Sequence, residues 1–355
     1  MCSQQKNDRN KSAGLFAYDA FTRLTKARED IAGNVVIPAE FDGKPLVEIG
    51  SYAFAKHMGL RQAAIPQGVV NIGCHAFAGC VNLEAVTLPK GLREIGDHAF
   101  FECENLRRIN IPDSVEKIGD HAFAGCSALT RISLPPRLYH ISGSAFCGCN
   151  HLTMIGLPFD HPEFEVMGRL LVRKTRNSIF RGLLEADTEV FHIPSGYAEI
   201  EEYAFSGYTE LKHVRIPGSV KKIGEAAFSN CPELAEIIIP DGVTHISEFT
   251  FFGCESLKRV RLPKGLKAIG VKAFFLCSGL SEINLPDGLQ EIGMGAFADC
   301  PELKSVTIPE SVVRIDEDAF SDCGELSVDV TPDSFAEDYF RNLRRNYQLR
   351  IKIRT

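Results

Sequence analysis

Phenylalanine returns every 23 residues through most of this 355-residue chain. It stands at Phe54, Phe77, Phe100, Phe123 and Phe146, then at Phe205, Phe228, Phe251, Phe274, Phe297 and Phe320. Three residues after it comes cysteine in nine of the eleven copies, from Cys80 to Cys323. Leucine follows three later, and proline twelve after the phenylalanine, from Pro66 to Pro332. With Pro38 and Pro194, thirteen of the eighteen prolines are periodic. A period in the twenties means stacked units, none of which buries a core alone. That excludes an ordinary globule of two average domains, the soft prior from length.

The consensus unit reads L-x-x-[VI]-x-[LI]-P-x-x-[VL]-x-x-I-G-x-x-A-F-x-x-C. In Leu83–Pro89, Val86 and Leu88 alternate with Ala85 and Thr87, the period of a half-buried strand. Proline cannot donate to a ladder, so it ends each strand at a corner. A second short extended piece such as Leu92–Ile95 follows. The glycine that closes it (Gly73, Gly96, Gly270) is expected to turn the chain at positive φ. The A-F-x-x-C-x-x-L spacing predicts a single helical turn on each rung.

These residues resemble the BspA-like class of leucine-rich repeats over about residues 34–332. The resemblance implies an α/β, β-rich solenoid: a right-handed arc with a parallel sheet on its concave face and short helical turns on the other side. It also implies a non-enzymatic module binding a protein, or alternatively a glycan, along that sheet, as adhesins of the class do.

The departures from the period set the boundaries. Residues 1–13 are expected to be disordered. The first rung is five residues longer than standard and carries Asp42-Gly43-Lys44-Pro45, so residues 14–53 read as an N-terminal cap. Residues 159–193 lack Ala-Phe and place two apolar stretches around a polar turn, a hairpin inserted into one continuous solenoid, 14–332. Its bases Arg169, Arg173, Lys174, Arg176 and Arg181 read as a solvated tip. Residues 333–355 read as a C-terminal cap. Ser334-x-x-Glu337 is a capping box, Phe335, Tyr339, Phe340 and Leu343 form one helical face, and Leu349, Ile351 and Ile353 alternate as a strand.

The strand positions eight and ten residues after each phenylalanine point away from the core. They carry Arg108, Asn110, Arg131, His213, Arg215, Glu236, Arg259, Arg261, Glu282 and Asn284, the expected partner contacts. Five arginines make this face cationic, and arginine offers planar bidentate contacts to carboxylates. Glu236, Arg259 and Glu282 could instead neutralise one another across strands.

No catalytic constellation is recognisable: G-x-S-x-G, H-E-x-x-H and the P-loop are all missing. No cofactor or metal is implied. The cysteine column reads as small buried side chains. The alternative is a redox- or metal-responsive protein using Cys74 and Cys147 with the column His75, His98 and His121. Cys2 is a further thiol outside the column. A net charge of −7 argues against nucleic acid as a partner. No apolar run reaches the ~20 residues of a membrane span. The N-terminus, MCSQQKNDRNKSAGLF, lacks the apolar centre of a signal peptide. The default expectation is therefore a cytoplasmic monomer, with the cell surface or secretion as the alternative implied by the resemblance.

Overall fold

The computed structural model describes residues 15–19, 22–347 and 351–354, with side chains described as far as residue 342. The expected disordered segment 1–13, Cys2 and Leu349 lie outside the described residues. The chain divides into two compact units: Met1–Leu171 with Leu183–Glu185, and Val172–Gly182 with Ala186–Thr355.

In unit 1 each rung contributes two short strands. The strands Glu48–Ile49, Asn71–Ile72, Glu94–Ile95, Lys117–Ile118 and His140–Ile141 pair in parallel, each 23 residues from the next. A second parallel ladder runs through Gly33–Val36, Leu60–Ala64, Ala85–Thr87 and Arg108–Ile109. The longer first rung keeps its register: Asn34 pairs with Gln62, and the surplus residues form the hairpin of Glu40–Phe41 and Lys44–Pro45. Asp42 (φ 50°) and Gly43 (φ 76°) both adopt left-handed φ in that turn, the geometry a two-residue hairpin loop requires.

Unit 2 repeats the plan. Val190–His192, His213–Arg215, Glu236–Ile238, Arg259–Arg261 and Glu282–Ile283 form one parallel sheet. His245–Ile246, Ala268–Ile269, Glu291–Ile292 and Arg314–Ile315 form another. Residues 172–182 hold the turn of the expected hairpin, with Asn177 at φ 50°. The C-terminal cap matches its signals in part. Helix Phe335–Tyr347 begins at Ser334, whose Oγ accepts from the Glu337 N–H (3.2 Å), while Glu337 accepts from the Asp333 N–H (2.9 Å). Strand Ile351–Arg354 pairs with Leu326–Val330. The helix's buried face is carried by Ala336, Glu337 and Phe340, with Tyr339 partly buried. Phe335, expected on that face, is exposed instead because it occupies the first helical position, before the chain has turned inward.

A file of stacked phenylalanines forms the centre of each unit. Neighbouring rings lie 4.9 to 5.8 Å apart, from Phe54–Phe77 to Phe123–Phe146. In unit 2 the file runs from Phe205 to Phe320. An edge-on ring closes one end in unit 1, Phe16 against Phe54 (6.1 Å), and Phe340 of the helix packs on Phe320 in unit 2 (5.7 Å). All of these side chains are buried. A file open at its end would leave a ring face in water, so the caps bury apolar area rather than merely ending the chain.

The expected helical turns are mostly not helical. Among the described residues the solenoid rungs contain one such piece, the 3₁₀ segment Gly143–Phe146. Elsewhere the residue two before the phenylalanine is left-handed, for example His75 (φ 58°), His98 (φ 56°), Tyr203 (φ 55°) and Phe249 (φ 54°). Alternate N–H groups then bond within the rung, as Ala76 N to Gly73 O, and across rungs, as His75 N to Asp97 O, Phe77 N to Ala99 O and Gly79 N to Phe101 O. The strain of a left-handed residue, of order 1–3 kcal/mol, is offset because each such turn adds a cross-rung bond that a helix would not make.

The consensus glycines also do a different job from the one expected. Gly73 and Gly270 are not at positive φ; a Cβ at Gly73 would lie 2.7 Å from Ser51 N, and at Gly270 2.8 Å from Glu248 N. They permit close approach of successive rungs.

The cysteine column is more than apolar filling. Every one of the nine thiols donates to the carbonyl of the phenylalanine one rung back, from Cys80 to Phe54 O (3.0 Å) to Cys323 to Phe297 O (3.0 Å). The two copies without cysteine stand where no phenylalanine precedes them. There a longer donor crosses the gap: Tyr208 Oη bonds to Gly182 O (2.6 Å), and the His57 ring nitrogen Nε2 lies 2.9 Å from Arg28 O.

Candidate interaction surface

All ten residues expected to contact a partner are exposed. Eight stand on strand backbones and Asn110 and Asn284 just past them, with alternate residues such as Ile109, Ile132, Val214, Ile237 and Val260 buried. The alternation therefore fixes which way each points. Arg108 lies on Arg108–Ile109, with Asn110 just beyond it, and Arg131 begins Arg131–Ser133 on the next rung of unit 1. In unit 2 the ladder registers His213 with Glu236, Glu236 with Arg259, and Arg259 with Glu282. A parallel column runs Arg215, Ile238, Arg261, Asn284, with Ile238 and Arg261 paired directly.

Proximity on this ladder does not produce the alternative, mutual neutralisation of Glu236, Arg259 and Glu282. Glu236 lies 3.8 Å from His213 Nδ1, and the Glu282 carboxylate accepts from Asn284 Nδ2 at 3.4 Å. Among the described residues no ion pair joins Arg259 to either acid, and Arg108, Arg131, Arg215 and Arg261 likewise have no acidic partner. Elsewhere the scaffold pairs charges one rung apart: Arg61 with Glu84 (3.0 Å), Lys117 with Glu94 (2.9 Å), Lys212 with Glu189 (2.8 Å) and Lys222 with Glu199 (2.6 Å). Among the described residues the five strand arginines make no such pair, and neither do other exposed bases such as Arg93, Arg107 and Lys258; what sets the five apart is their place on the outward face of the parallel strands.

The cysteine column offers no ready nucleophile. Burial pushes the Cys80, Cys231 and Cys323 thiols up to about 12, and Cys103, Cys126, Cys254 and Cys277 well above the usual range. The thiolate is the reactive form, so these thiols are inert at neutral pH. Among the described residues every cysteine is a thiol; Cys74 is exposed and Cys147 partly so. The histidine column exists as a stack. Tyr52 and His75 lie 4.7 Å apart, His75 and His98 4.5 Å, and His98 and His121 4.9 Å. Burial and the next ring lower the pKa of His75 and of His98. Among the described residues no group of three or more His, Cys, Asp or Glu could hold a metal.

The basic hairpin is not a uniformly solvated tip. Lys174 and Arg176 are exposed, but Arg173 and Arg181 are buried. Arg173 Nε donates to both Glu201 oxygens (3.0 and 3.2 Å), Ser178 Oγ donates to the same carboxylate, and the guanidinium lies over Phe180. Sequence reasoning missed this network. Its one signal was Glu201, which occupies the position held by glycine in most rungs.

The comparisons with known proteins agree with this geometry. The BspA type leucine rich repeat region, in six copies, matches residues 47–166, 175–300 and 246–343. A leucine rich cell surface protein from Faecalibacterium prausnitzii is 27% identical, with 91% of this chain and 94% of that one covered and a TM-score of 0.53. A leucine-rich repeat protein from Eubacterium ventriosum (21% identity, 86% and 91% covered, TM-score 0.62) shares the fold. So does the pneumococcal vaccine antigen PcpA (20% identity, 95% and 90% covered, TM-score 0.65). No curated protein matches the chain. With stacked 23-residue rungs, a phenylalanine file and a matching repeat profile over most of its length, the chain belongs to the BspA-type leucine-rich repeat family.

Proposed function

We propose that this chain is a non-enzymatic protein-interaction module. It binds through the exposed strand face of each unit, carrying Arg108, Asn110 and Arg131 in unit 1 and His213, Arg215, Glu236, Arg259, Arg261, Glu282 and Asn284 in unit 2. The observation that carries this reading is the set of five exposed strand arginines, none with an acidic partner among the described residues, held outward by strands whose alternate residues are buried. An unpaired guanidinium retains its bidentate capacity for an incoming carboxylate. Variable side chains on a fixed repeat are how solenoids present binding surfaces. The cell-surface description of the F. prausnitzii relative supports a surface location in place of the cytoplasmic default.

The test compares capture by the native chain with capture by a version carrying Arg108→Glu, Arg131→Glu, Arg215→Glu and Arg261→Glu. Circular dichroism confirms that both are folded. The expected result is at least a tenfold loss of specific partners, in line with the weight arginine carries at interface centres. Equal recovery by both would refute the strand-face site.

A further inference from the structure

The arginine face of unit 2 has a spacing that selects among partner shapes. Arg215, Ile238 and Arg261 form one column across three successive rungs, by the register of Val214 with Ile237 and of Ile238 with Arg261. Adjacent strands are ~4.8 Å apart, so the two arginine backbones lie roughly 10 Å from each other, with Ile238 midway. Ile238 is 56% exposed, an apolar side chain left in water between two unpaired cations. Nothing in the rung's own packing requires it there, because the residue's buried neighbours Ile237 and Ile239 already fill the core.

We propose that this column binds an α-helical segment of a partner protein carrying acid, apolar and acid residues at positions i, i+3 or i+4, and i+7. The inference rests on the strand-face reading above and names the partner for it. A helix rises ~1.5 Å per residue, so acids seven apart are about 10.5 Å from each other on one face, and residues i+3 and i+4 fall halfway between. That matches arginine, isoleucine, arginine. An extended strand repeats its same-face side chains every ~6.7 Å and places none near 10 Å. A helix lying along the stack therefore meets all three residues at once, and an extended chain does not.

The energetics favour the same partner. Contact with Ile238 excludes water from the centre of the patch, which strengthens the flanking carboxylate–guanidinium pairs. The neighbouring column reads His213, Glu236, Arg259, Glu282, so its two acids bracket Arg259. A uniformly anionic partner would be repelled at Glu236 and Glu282. A helix that confines its acids to one stripe avoids both.

The test measures fluorescence anisotropy of labelled 21-residue peptides against the purified full chain. One peptide carries Glu at i and i+7 with Leu at i+3 and i+4 over three heptads. A second has the acids changed to Gln. A third keeps the composition but places Glu at alternate residues. A sulfated oligosaccharide serves as a fourth ligand. The helical acidic peptide is expected to bind at least tenfold more tightly than the other three. Arg215→Glu with Arg261→Glu should reduce that binding at least tenfold, and Ile238→Asn should reduce it several-fold. Lys222→Ala, on the strand Lys222–Ile223 that pairs with Glu199–Ile200 outside this sheet, should leave it unchanged. Equal binding of the alternate-residue peptide, tighter binding of the oligosaccharide, indifference to the Arg215 and Arg261 changes, or no helical binding at all would overturn the proposal. Should it fall while the capture experiment still depends on the arginines, the face stands and only the partner chemistry is wrong. Should capture also be indifferent, both fall.

Discussion

The two units place different chemistry on one backbone. Two residues before most of the periodic phenylalanines the chain is left-handed in both, as at His75, His98 and His121 and at Tyr203, Ala226 and Phe249. Unit 1 uses that position for a stack of imidazoles, with Asp97 and Asp120 beside it. Unit 2 places acids at the preceding position on three rungs, Glu202, Glu225 and Glu248. Burial and the two flanking carboxylates raise the pKa of Glu225, while a Tyr203 hydrogen bond opposes the shift. The lesson is that a repeat fixes geometry and leaves charge free. One scaffold therefore carries ladders of opposite acid response.

What the units share should break first, and equally. Phe100 in unit 1 and Phe251 in unit 2 are fully buried, each between two rings at 5.2 to 5.8 Å. Replacing either with Ala should cost about 3–5 kcal/mol through lost burial and a cavity. Hydrogen exchange should show protection falling in the rungs adjoining each lesion, because repeat stability is carried by nearest neighbours. Costs differing by more than about twofold would mean that the units are not equivalent scaffolds.

Those phenylalanines were also the most legible part of the chain. The period, the strand alternation around Val86 and the proline corners are local signals, and each fell where the structure has it. The turn before Cys80 was not legible. The spacing from Phe77 to Cys80 matches a helical turn, but bonds such as His75 N to Asp97 O come from a rung 22 residues away and leave no local trace. Arg173 failed for the same reason, since Glu201, 28 residues on, decides its burial. At the candidate site, alternation was enough to point Arg215 and Arg261 outward. It could not say that Glu236 would lie beside His213 or that Glu282 would bond to Asn284, because side-chain choice among neighbours is not written in the period.

Acid should separate the units. His75 and His98 titrate below their unfolded value of about 6.5, so under that pH the unfolded chain binds more protons than the folded one. Unit 1 therefore loses stability as pH falls through 6.5, levelling off below the folded pKa. Glu225 titrates above its unfolded value of about 4.5, so on acidification the folded chain binds its proton first. Unit 2 accordingly gains stability as pH falls through the folded pKa towards 4.5. Denaturant melts at successive pH values should show a flatter loss below pH 6.5 in His98→Gln. Glu225→Gln should be more stable than the native chain at pH 7, with the difference vanishing near pH 4. Parallel pH profiles for both variants and the native chain would show that the ladders do not titrate as their surroundings imply.

The smallest effect distinguishes the two kinds of charge ladder. Lys117 and Glu94 pair at 2.9 Å with both side chains about 40% exposed, and Lys222 and Glu199 pair at 2.6 Å. Exposed pairs of this kind contribute roughly 0.2–1 kcal/mol and are screened by salt. Lys117→Ala should therefore lower stability by a few tenths of a kcal/mol at low ionic strength and by less in 1 M salt. Arg215→Ala and Arg261→Ala, whose guanidiniums meet no acid, should change stability by less than about 0.5 kcal/mol and, unlike Lys117→Ala, by the same amount at low and high salt. A double-mutant cycle on Lys117 and Glu94, run beside the two arginine variants, makes the contrast measurable. If removing Arg215 or Arg261 costs as much as removing Lys117, the arginines are fold elements like the paired lysines. If it costs nothing, folding does not need them, and the capture experiment alone decides whether a partner does.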